Sequence, residues 1–396
     1  MSEDDGGAVY CCGDAYINDA FFSYSSVKVD GRAVYCEGKT HITSSGFRTN
    51  KASGATQRCF GGAVRSEGAC YIDSAYFSNN YAEDYGGAVY ADDNIYISND
   101  CLFTANKAEN YGGSIYAEDN VYINWIFDDA KTAIIRYSNV ETDDGGGIYA
   151  EDNVYINKAY FDTCFAKIDG GAIYCKGKST LRNSLFEYNK VEYKKSIHLN
   201  YGGAVCSKGS CTVDSCTLSG NYADDRGGAI YCYGKVSVNN SKFDFNESDN
   251  YGGAIYADTI NTISNTLFWC NNVNTDDGGA VYINSKCTTT ITGCKFLENE
   301  AGDEGGAIYT DSAYGKVNLY SNIFVDNKAE DKGHAVYNSG EFGTVNGKKQ
   351  VAFTDEKGYV TVNLTADKVG SYRVDLRFAG DRYYNELGSY RTIRVV

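Results

Sequence analysis

Adjacent carboxylates recur along this chain at Asp92/Asp93, Asp143/Asp144, Asp224/Asp225 and Asp276/Asp277. Two carboxyl groups beside a sugar linkage can divide acid and base roles in glycosidic cleavage. A second oxygen-rich set, Asp93/Asn94, Glu118/Asp119/Asn120 and Glu151/Asp152/Asn153, has the hard donors that suit Ca2+. Tyrosine forms the third set. One column contains Tyr90, Tyr116, Tyr149 and Tyr174, and a second contains Tyr96, Tyr122 and Tyr155. If these rings point outward they form aromatic ladders, whose flat faces and hydroxyl tips suit a sugar or a protein surface.

The acidic pairs fall at recurring turn positions, whereas an active site occurs once. The residues that break the pattern, Arg32, Arg65, Trp125, Trp269 and His334, are scattered through different repeats. Three histidines in all, His41, His198 and His334, leave little for general-base or metal roles. Asn274-Thr-Asp-Asp277 echoes part of a polygalacturonase motif, without a matching Gly-His-Gly or Arg-Ile-Lys. The expectation is a non-enzymatic chain with no catalytic residues and no bound cofactor or metal, Ca2+ being the one candidate. The alternative is a polysaccharide lyase or hydrolase of the pectate-lyase-like type. Fifteen cysteines are an odd number, so at least one has no partner in the chain, and none shows CxxC spacing. They read as small apolar residues packed in strands.

The elements that place these groups are set by a repeat. Gly-Gly-Ala-(Val/Ile)-Tyr recurs thirteen times with small variations, from Gly6 to Gly333, most often 25 residues apart. Phe-x-x-Asn follows in most repeats, as in Phe77/Asn80 and Phe103/Asn106. Between Gly86-Gly87 and Asn106, short alternating segments are separated by Gly, Asp and Asn. Period-two alternation marks strands, and those residue types mark turns. Three short strands cannot bury an apolar face alone, but stacked copies can. The pattern predicts an all-β chain: a right-handed parallel β-helix of about thirteen coils over residues 1–340, roughly 60 Å long at ~4.8 Å per coil. Alternation places Val89 inward with Ala88 and Tyr90 outward, and Ile95 and Ile97 inward with Tyr96 outward. Phe of Phe-x-x-Asn is expected to stack internally, and its Asn to form an amide ladder. Three long spacings put loops near 47–60, 124–141 and 186–201, the third of them locally basic.

The pairing of Gly-Gly-Ala-(Val/Ile) with Phe-x-x-Asn resembles the repeat of chlamydial polymorphic outer-membrane proteins. It is similar also to adhesin-like surface proteins of methanogenic archaea, in which β-helix repeats precede immunoglobulin-like modules. Gly370-Ser-Tyr-Arg-Val followed by Phe378-Ala-Gly-Asp-Arg-Tyr383 resembles the end of such a module. The resemblance implies a partial Ig-like β-sandwich over 341–396, a surface location, and binding to a cell-surface glycan or protein.

Charge is consistent with that boundary. The chain carries −16 overall, yet residues 341–396 hold two more basic than acidic side chains. Such acidity argues against a nucleic-acid partner held by phosphate neutralisation. The apolar runs are far shorter than the ~20 residues that span a bilayer as a helix. The start at Met1-Ser-Glu-Asp-Asp lacks a secretory leader and falls inside a repeat, so the expectation is a fragment of a longer extracellular chain. A passive stalk that spaces a distal domain is a third reading.

Overall fold

The computed structural model describes residues 7–27, 33–54, 58–124, 132–192, 199–284, 287–311, 316–338, 341–342, 370–378 and 387–395. Among them there is no helix. The chain winds as a parallel β-solenoid of about twelve turns, with two ladders of twelve strands each and a third sheet of 24.

One turn shows how the sequence builds the rest. Val89–Ala91 and Ile95–Ser98 lie in the large sheet, Leu102–Thr104 in the second, and Lys107–Ala108 in the third. Each pairs in parallel with its counterpart one turn on, in matched register: Val89 with Ile115, Ile95 with Val121, Leu102 with Ile134 and Lys107 with Asn139. In two turns the first pair of strands fuses, giving Ile230–Asn239 and Ile255–Ser264, with a register irregularity after Cys232.

The corners explain the punctuation. Gly86 has φ +63°, and a Cβ there would meet the carbonyl oxygen of Val89 at 2.3 Å. Gly87 has ordinary backbone, but a Cβ would lie 2.1 Å from the oxygen of Gly113 in the turn above. The first glycine is fixed by conformation and the second by the close approach of two turns. Two further corners adopt left-handed backbone mostly without glycine, Gly220 and Gly293 being exceptions. The residue before the Asn of Phe-x-x-Asn has φ near 50°, as at Asn79, Ala105, Tyr188 and Cys270. This conformation costs about 1–2 kcal/mol per residue.

The adjoining asparagine offsets that cost. Asn80 is 1% exposed. Its Nδ2 donates to Asn106 Oδ1 at 3.0 Å and to the Phe47 carbonyl at 3.1 Å. Its Oδ1 accepts from the backbone N–H of Asn50 at 3.1 Å and from Asn50 Nδ2 at 2.9 Å. The ladder resumes from Asn189 through Asn221, Asn246, Asn271 and Asn299 to Asn327. Between the two runs, Ser138 and Cys164 hold the positions. Ser138 Oγ lies 2.6 Å from Ser114 Oγ, and the N–H of Cys164 donates to Asn189 Oδ1.

The interior is one continuous core of Val, Ile, Ala, Cys and Phe. Phe47, Phe77 and Phe103 stack at 4.7–4.8 Å with planes within 3°. Phe243, Phe268, Phe296 and Phe324 continue the column at 4.8–5.0 Å. Burying each ring contributes about 1.5–3 kcal/mol. The expected Ala88 orientation is corrected. Ala88 is fully buried and belongs to this core, because the strand begins only at Val89 and the residue before it lies in the tight Gly-Gly corner.

At the C-terminal end, Gly370–Phe378 pairs antiparallel with Leu387–Val395. The rest of the expected Ig-like module over 341–396 lies outside the described residues, apart from Glu341–Phe342. So do the central residues of the three expected loops, together with Arg32, Trp125 and His198.

Candidate functional site

The two tyrosine columns both leave the core, but they end in different environments. Tyr96, Tyr122 and Tyr155 lie on the outer face of the second strand, half-exposed. They belong to one unbroken stack. Tyr16 packs on His41 at 4.7 Å, His41 on Tyr71 at 4.6 Å, Tyr71 on Tyr96 at 4.8 Å, and Tyr96, Tyr122 and Tyr155 follow at 4.9 Å. All five interplanar angles are 7° or less. Tyr16 is 75% exposed, and Lys178 Nζ sits 5.3 Å from the Tyr155 ring at the other end. Beyond Tyr155 the column continues as Thr180 and Thr212. This stacking alters what the ladder offers. Each ring face is covered by its neighbours, so the surface presents a row of ring edges and phenol tips rather than flat platforms.

Tyr90, Tyr116, Tyr149 and Tyr174 are only 2–6% exposed, which corrects the expectation of an outward-facing ladder there. Their cover comes from the residue just before each Gly-Gly. Phe60 stacks on Tyr90 at 4.6 Å, Tyr85 on Tyr116 at 5.0 Å, and Tyr111 tilts over Tyr149 at 4.7 Å. Tyr201 and Tyr251 cover Tyr231 and Tyr282 in the same way. The hydroxyls turn back onto the rod. Tyr90 donates to Glu118, Tyr116 to Glu151 at 3.0 Å and Tyr35 to Glu67 at 2.5 Å. Burial, then the carboxylate contact, pushes the Tyr90 phenol far above its usual range. This seam was overlooked in the sequence, although its signal is plain: an aromatic immediately before Gly-Gly at Phe60, Tyr85, Tyr111, Tyr201 and Tyr251.

At three breaks in the aromatic pattern of the seam, a cation fills the gap. Arg65 replaces a tyrosine. Its guanidinium lies 4.4 Å from the Tyr90 ring and pairs with Asp92 at 2.7 Å. Arg226 replaces a covering aromatic, 5.1 Å from the Tyr256 ring. Cys206 replaces another tyrosine, and Lys208 spans that break, 4.0 Å from the Tyr233 ring and 5.4 Å from Tyr174. Arg65 thus breaks the repeat for packing reasons. His334 also has a local role, its Nδ1 accepting the backbone N–H of Ala329 at 3.1 Å. Trp269 tilts against Phe245 at 4.8 Å.

The carboxylate pairs stay apart as separate turns. Asp92 is paired with Arg65, and Asp225 accepts from Asn250 Nδ2 at 2.5 Å and lies 3.3 Å from Arg226. Burial pushes Asp277 up to about 7, helped by Asp303 and Glu304. In the polygalacturonase-like segment, Asn274 and Thr275 bond to Asp249 and Asn250 of the preceding turn, so they serve the winding. A shallow opening of about 500 Å³ is lined by Cys270, Asn271, Asn272, Glu298, Glu300, Asp326 and Lys328 and includes none of the four pairs. At the Ca2+ candidate, Asn94 and Asn120 each give their amide oxygen to the next turn's Nδ2, at 2.9 and 2.8 Å. Asn153 gives its own to the N–H of Lys178 at 2.8 Å. Only Asp93, Asp119, Asp152 and their neighbouring glutamates remain as oxygen donors. Among the described residues no group of three or more His, Cys, Asp or Glu is gathered as a metal site. Most of the cysteines are buried, with Cys12 and Cys287 exposed.

Known proteins bear on this architecture through the repeat. Four segments, 74–92, 100–118, 215–233 and 293–311, match the Chlamydia polymorphic membrane protein (Chlamydia_PMP) repeat. The chain carries Chlamydia polymorphic membrane protein repeats wound as a parallel β-solenoid. Each matched segment spans a Phe-x-x-Asn corner, a Gly-Gly corner or both, the two features that the amide ladder and the close turn approach explain. No curated protein and no solved structure matches the chain. No helix among the described residues is long and apolar enough to cross a membrane.

Proposed function

We propose that this chain is an extracellular, non-enzymatic adhesin-like protein whose β-solenoid presents a repetitive face to a cell-surface glycan or protein. The observation that carries the reading is the stack from Tyr16 through His41, Tyr71, Tyr96 and Tyr122 to Tyr155. It is a partly exposed row of aromatic edges and hydroxyls repeating every 4.6–4.9 Å. Phenol hydroxyls both donate and accept, so a periodic row of them suits an extended partner with hydroxyls or amides at a similar spacing. Because the ring faces are occupied, recognition runs through hydrogen bonds at the tips, not through sugar rings lying flat on tyrosine. The seam tyrosines Tyr90, Tyr116, Tyr149 and Tyr174 form a separate, covered column and are not part of this surface. The Ig-like reading of 341–396 and the place of this chain within a longer surface protein belong to the same proposal.

The test is a panel of plant, microbial and host polysaccharides and host-cell surfaces. Protein depletion onto each is scored alongside new reducing or unsaturated ends. Depletion without products, lost when Tyr96, Tyr122 and Tyr155 are changed together to serine, is the expected result. Turnover of any polymer would overturn the non-enzymatic reading. Depletion unchanged in the triple variant would move the binding face elsewhere, and no depletion at all would favour a stalk that only spaces its neighbours.

A further inference from the structure

The break in the tyrosine seam gathers groups that the proposed binding role does not use. Asp169, on the turn before Cys206, has a side chain only 7% exposed. Lys208 Nζ lies 3.2 Å from its Oδ2, between neighbouring turns, and the lysine side chain is 29% exposed. The other carboxylate oxygen, Oδ1, accepts the backbone N–H of Tyr201 at 3.0 Å. A second carboxyl adjoins the pair: Asp144 Oδ1 accepts the backbone N–H of Asp169 at 2.9 Å. The rings of Tyr233 and Tyr174 flank the amine.

We propose that Lys208 and Asp169 condense into an intramolecular isopeptide bond, a covalent staple between two turns of the solenoid, with Asp144 as the adjoining acid. The reaction is a two-electron acyl substitution and needs no other reactant. A proton passes from Lys208 Nζ to the Asp169 carboxylate, turning the ion pair into an amine and a carboxylic acid. The amine lone pair attacks Cγ, and negative charge develops on Oδ1, where the Tyr201 N–H already points. The Cγ–Oδ2 bond breaks, and Oδ2 leaves as water with a second proton from the nitrogen, relayed through Asp144. One C–N bond forms, one C–O bond breaks and one water departs. One positive and one negative charge vanish together, so net charge is unchanged.

The surroundings favour that course. Burial pushes Asp169 up to about 6 despite the nearby lysine, and burial and then the Asp169 charge hold Asp144 well above the ordinary carboxylate range. Both carboxyls are therefore available in protonated form. Burial pulls the Lys208 ammonium down, but Cys206 and Asp169 outweigh it and the net direction is upward. The resting state is thus the ion pair, and the reactive neutral pair is a minor form. A reaction that occurs once per chain can proceed from a minor form. Lys242 and Asp244 supply an internal comparison. They lie 2.7 Å apart with an equally buried aspartate, but Lys242 is 40% exposed, and no second carboxyl is bonded to Asp244 as Asp144 is to Asp169.

The experiment is a mass measurement on the whole chain, denatured and reduced, followed by a tryptic map. The expected intact mass is lower than the sequence mass by one water. Trypsin is expected to leave Lys208 uncut and to release a branched species joining 168–176 to 196–226, while cutting normally after Lys242. Lys208→Arg, which keeps the ion pair, is expected to restore the full mass. This variant also separates the proposal from dehydration of the Asp169-Gly170 step to a cyclic imide, which removes the same water. A water loss that persists in Lys208→Arg, or full mass with normal cleavage after Lys208 in the parent chain, would overturn the bond. Asp144→Asn is expected to slow its appearance after refolding at least tenfold, and an unchanged rate would remove Asp144 from the step.

Discussion

A buried asparagine in this fold does the work of several backbone contacts. Asn80 satisfies groups on the turns both before and after its own. Asn80→Ala would orphan the Phe47 carbonyl and the Asn50 N–H inside the rod. A buried unsatisfied group costs about 1–3 kcal/mol, so a loss of roughly 2–4 kcal/mol is expected in urea unfolding, against less than about 0.5 for the exposed Asn18→Ala. The thiols divide just as sharply. Burial pushes Cys101 up to about 12 and Cys70 higher still. Iodoacetamide on the native protein is expected to mark Cys12 first, Cys11 and Cys270 slowly, and buried thiols such as Cys70 and Cys101 only after denaturation. Rapid native labelling of Cys70 would contradict the closed core. Asp277 sets a pH dependence. Its folded-state pKa of about 7 lies above the ~3.9 of an unfolded aspartate. The folded chain then holds a proton that the unfolded chain releases across that interval, so stability falls as pH rises through it. Tm should be higher at pH 5 than at pH 7.5, and Asp277→Asn, which can still accept the Glu304 N–H, should flatten the difference.

At the scale of the turn, phenylalanine and glycine carry unequal burdens. Phe103→Ala removes the last ring of the Phe47–Phe77–Phe103 stack, fully buried against Ile135 of the next turn, and is expected to cost about 3–5 kcal/mol. Gly87→Ala forces a Cβ against the Gly113 oxygen and should prevent two turns from closing, whereas Gly13→Ala meets nothing within 4 Å and should be silent. Circular dichroism melts of the three variants would order them. The strands, the Phe stack, the Asn ladder and the inward Ile95 and Ile97 were legible in the sequence, because period-two alternation and the Gly-Gly and Phe-x-x-Asn spacings report directly on which side chains face the axis. The burial of Tyr90 was not. Alternation says which face a side chain leaves by, but not what arrives to cover it, and the cover for Tyr90 comes from Phe60, one turn away. The outward ladder was legible as a column, but its lack of free ring faces follows from the ~4.8 Å spacing of turns, which stacks planar side chains on one another. Arg65 read as an anomaly because its partners, the Tyr90 ring and Asp92, lie on the next turn.

For the whole molecule, the net charge is −16, and residues 1–340, which include the solenoid, carry −18 of it against +2 for 341–396, so like charges on successive turns repel. Salt should therefore raise Tm, most steeply below about 0.15 M where screening is incomplete. A repeat array also transmits stability only between neighbours. Tyrosine fluorescence, weighted toward the seam, and far-ultraviolet circular dichroism are therefore expected to give different unfolding midpoints, and coincident transitions would show all-or-none behaviour instead. The matched register has one more consequence. Since each turn pairs with the next through equivalent residues, duplicating 86–111 would keep all columns in phase and create no new edge, so the rod can lengthen in whole-turn steps. Inserting a single residue within Ile95–Ser98 would throw Ile97 outward and Tyr96 inward. Length is thus the freest variable of this architecture and phase the most constrained, which makes reach, in increments of one strand spacing, a property that gene duplication can tune without redesigning any contact.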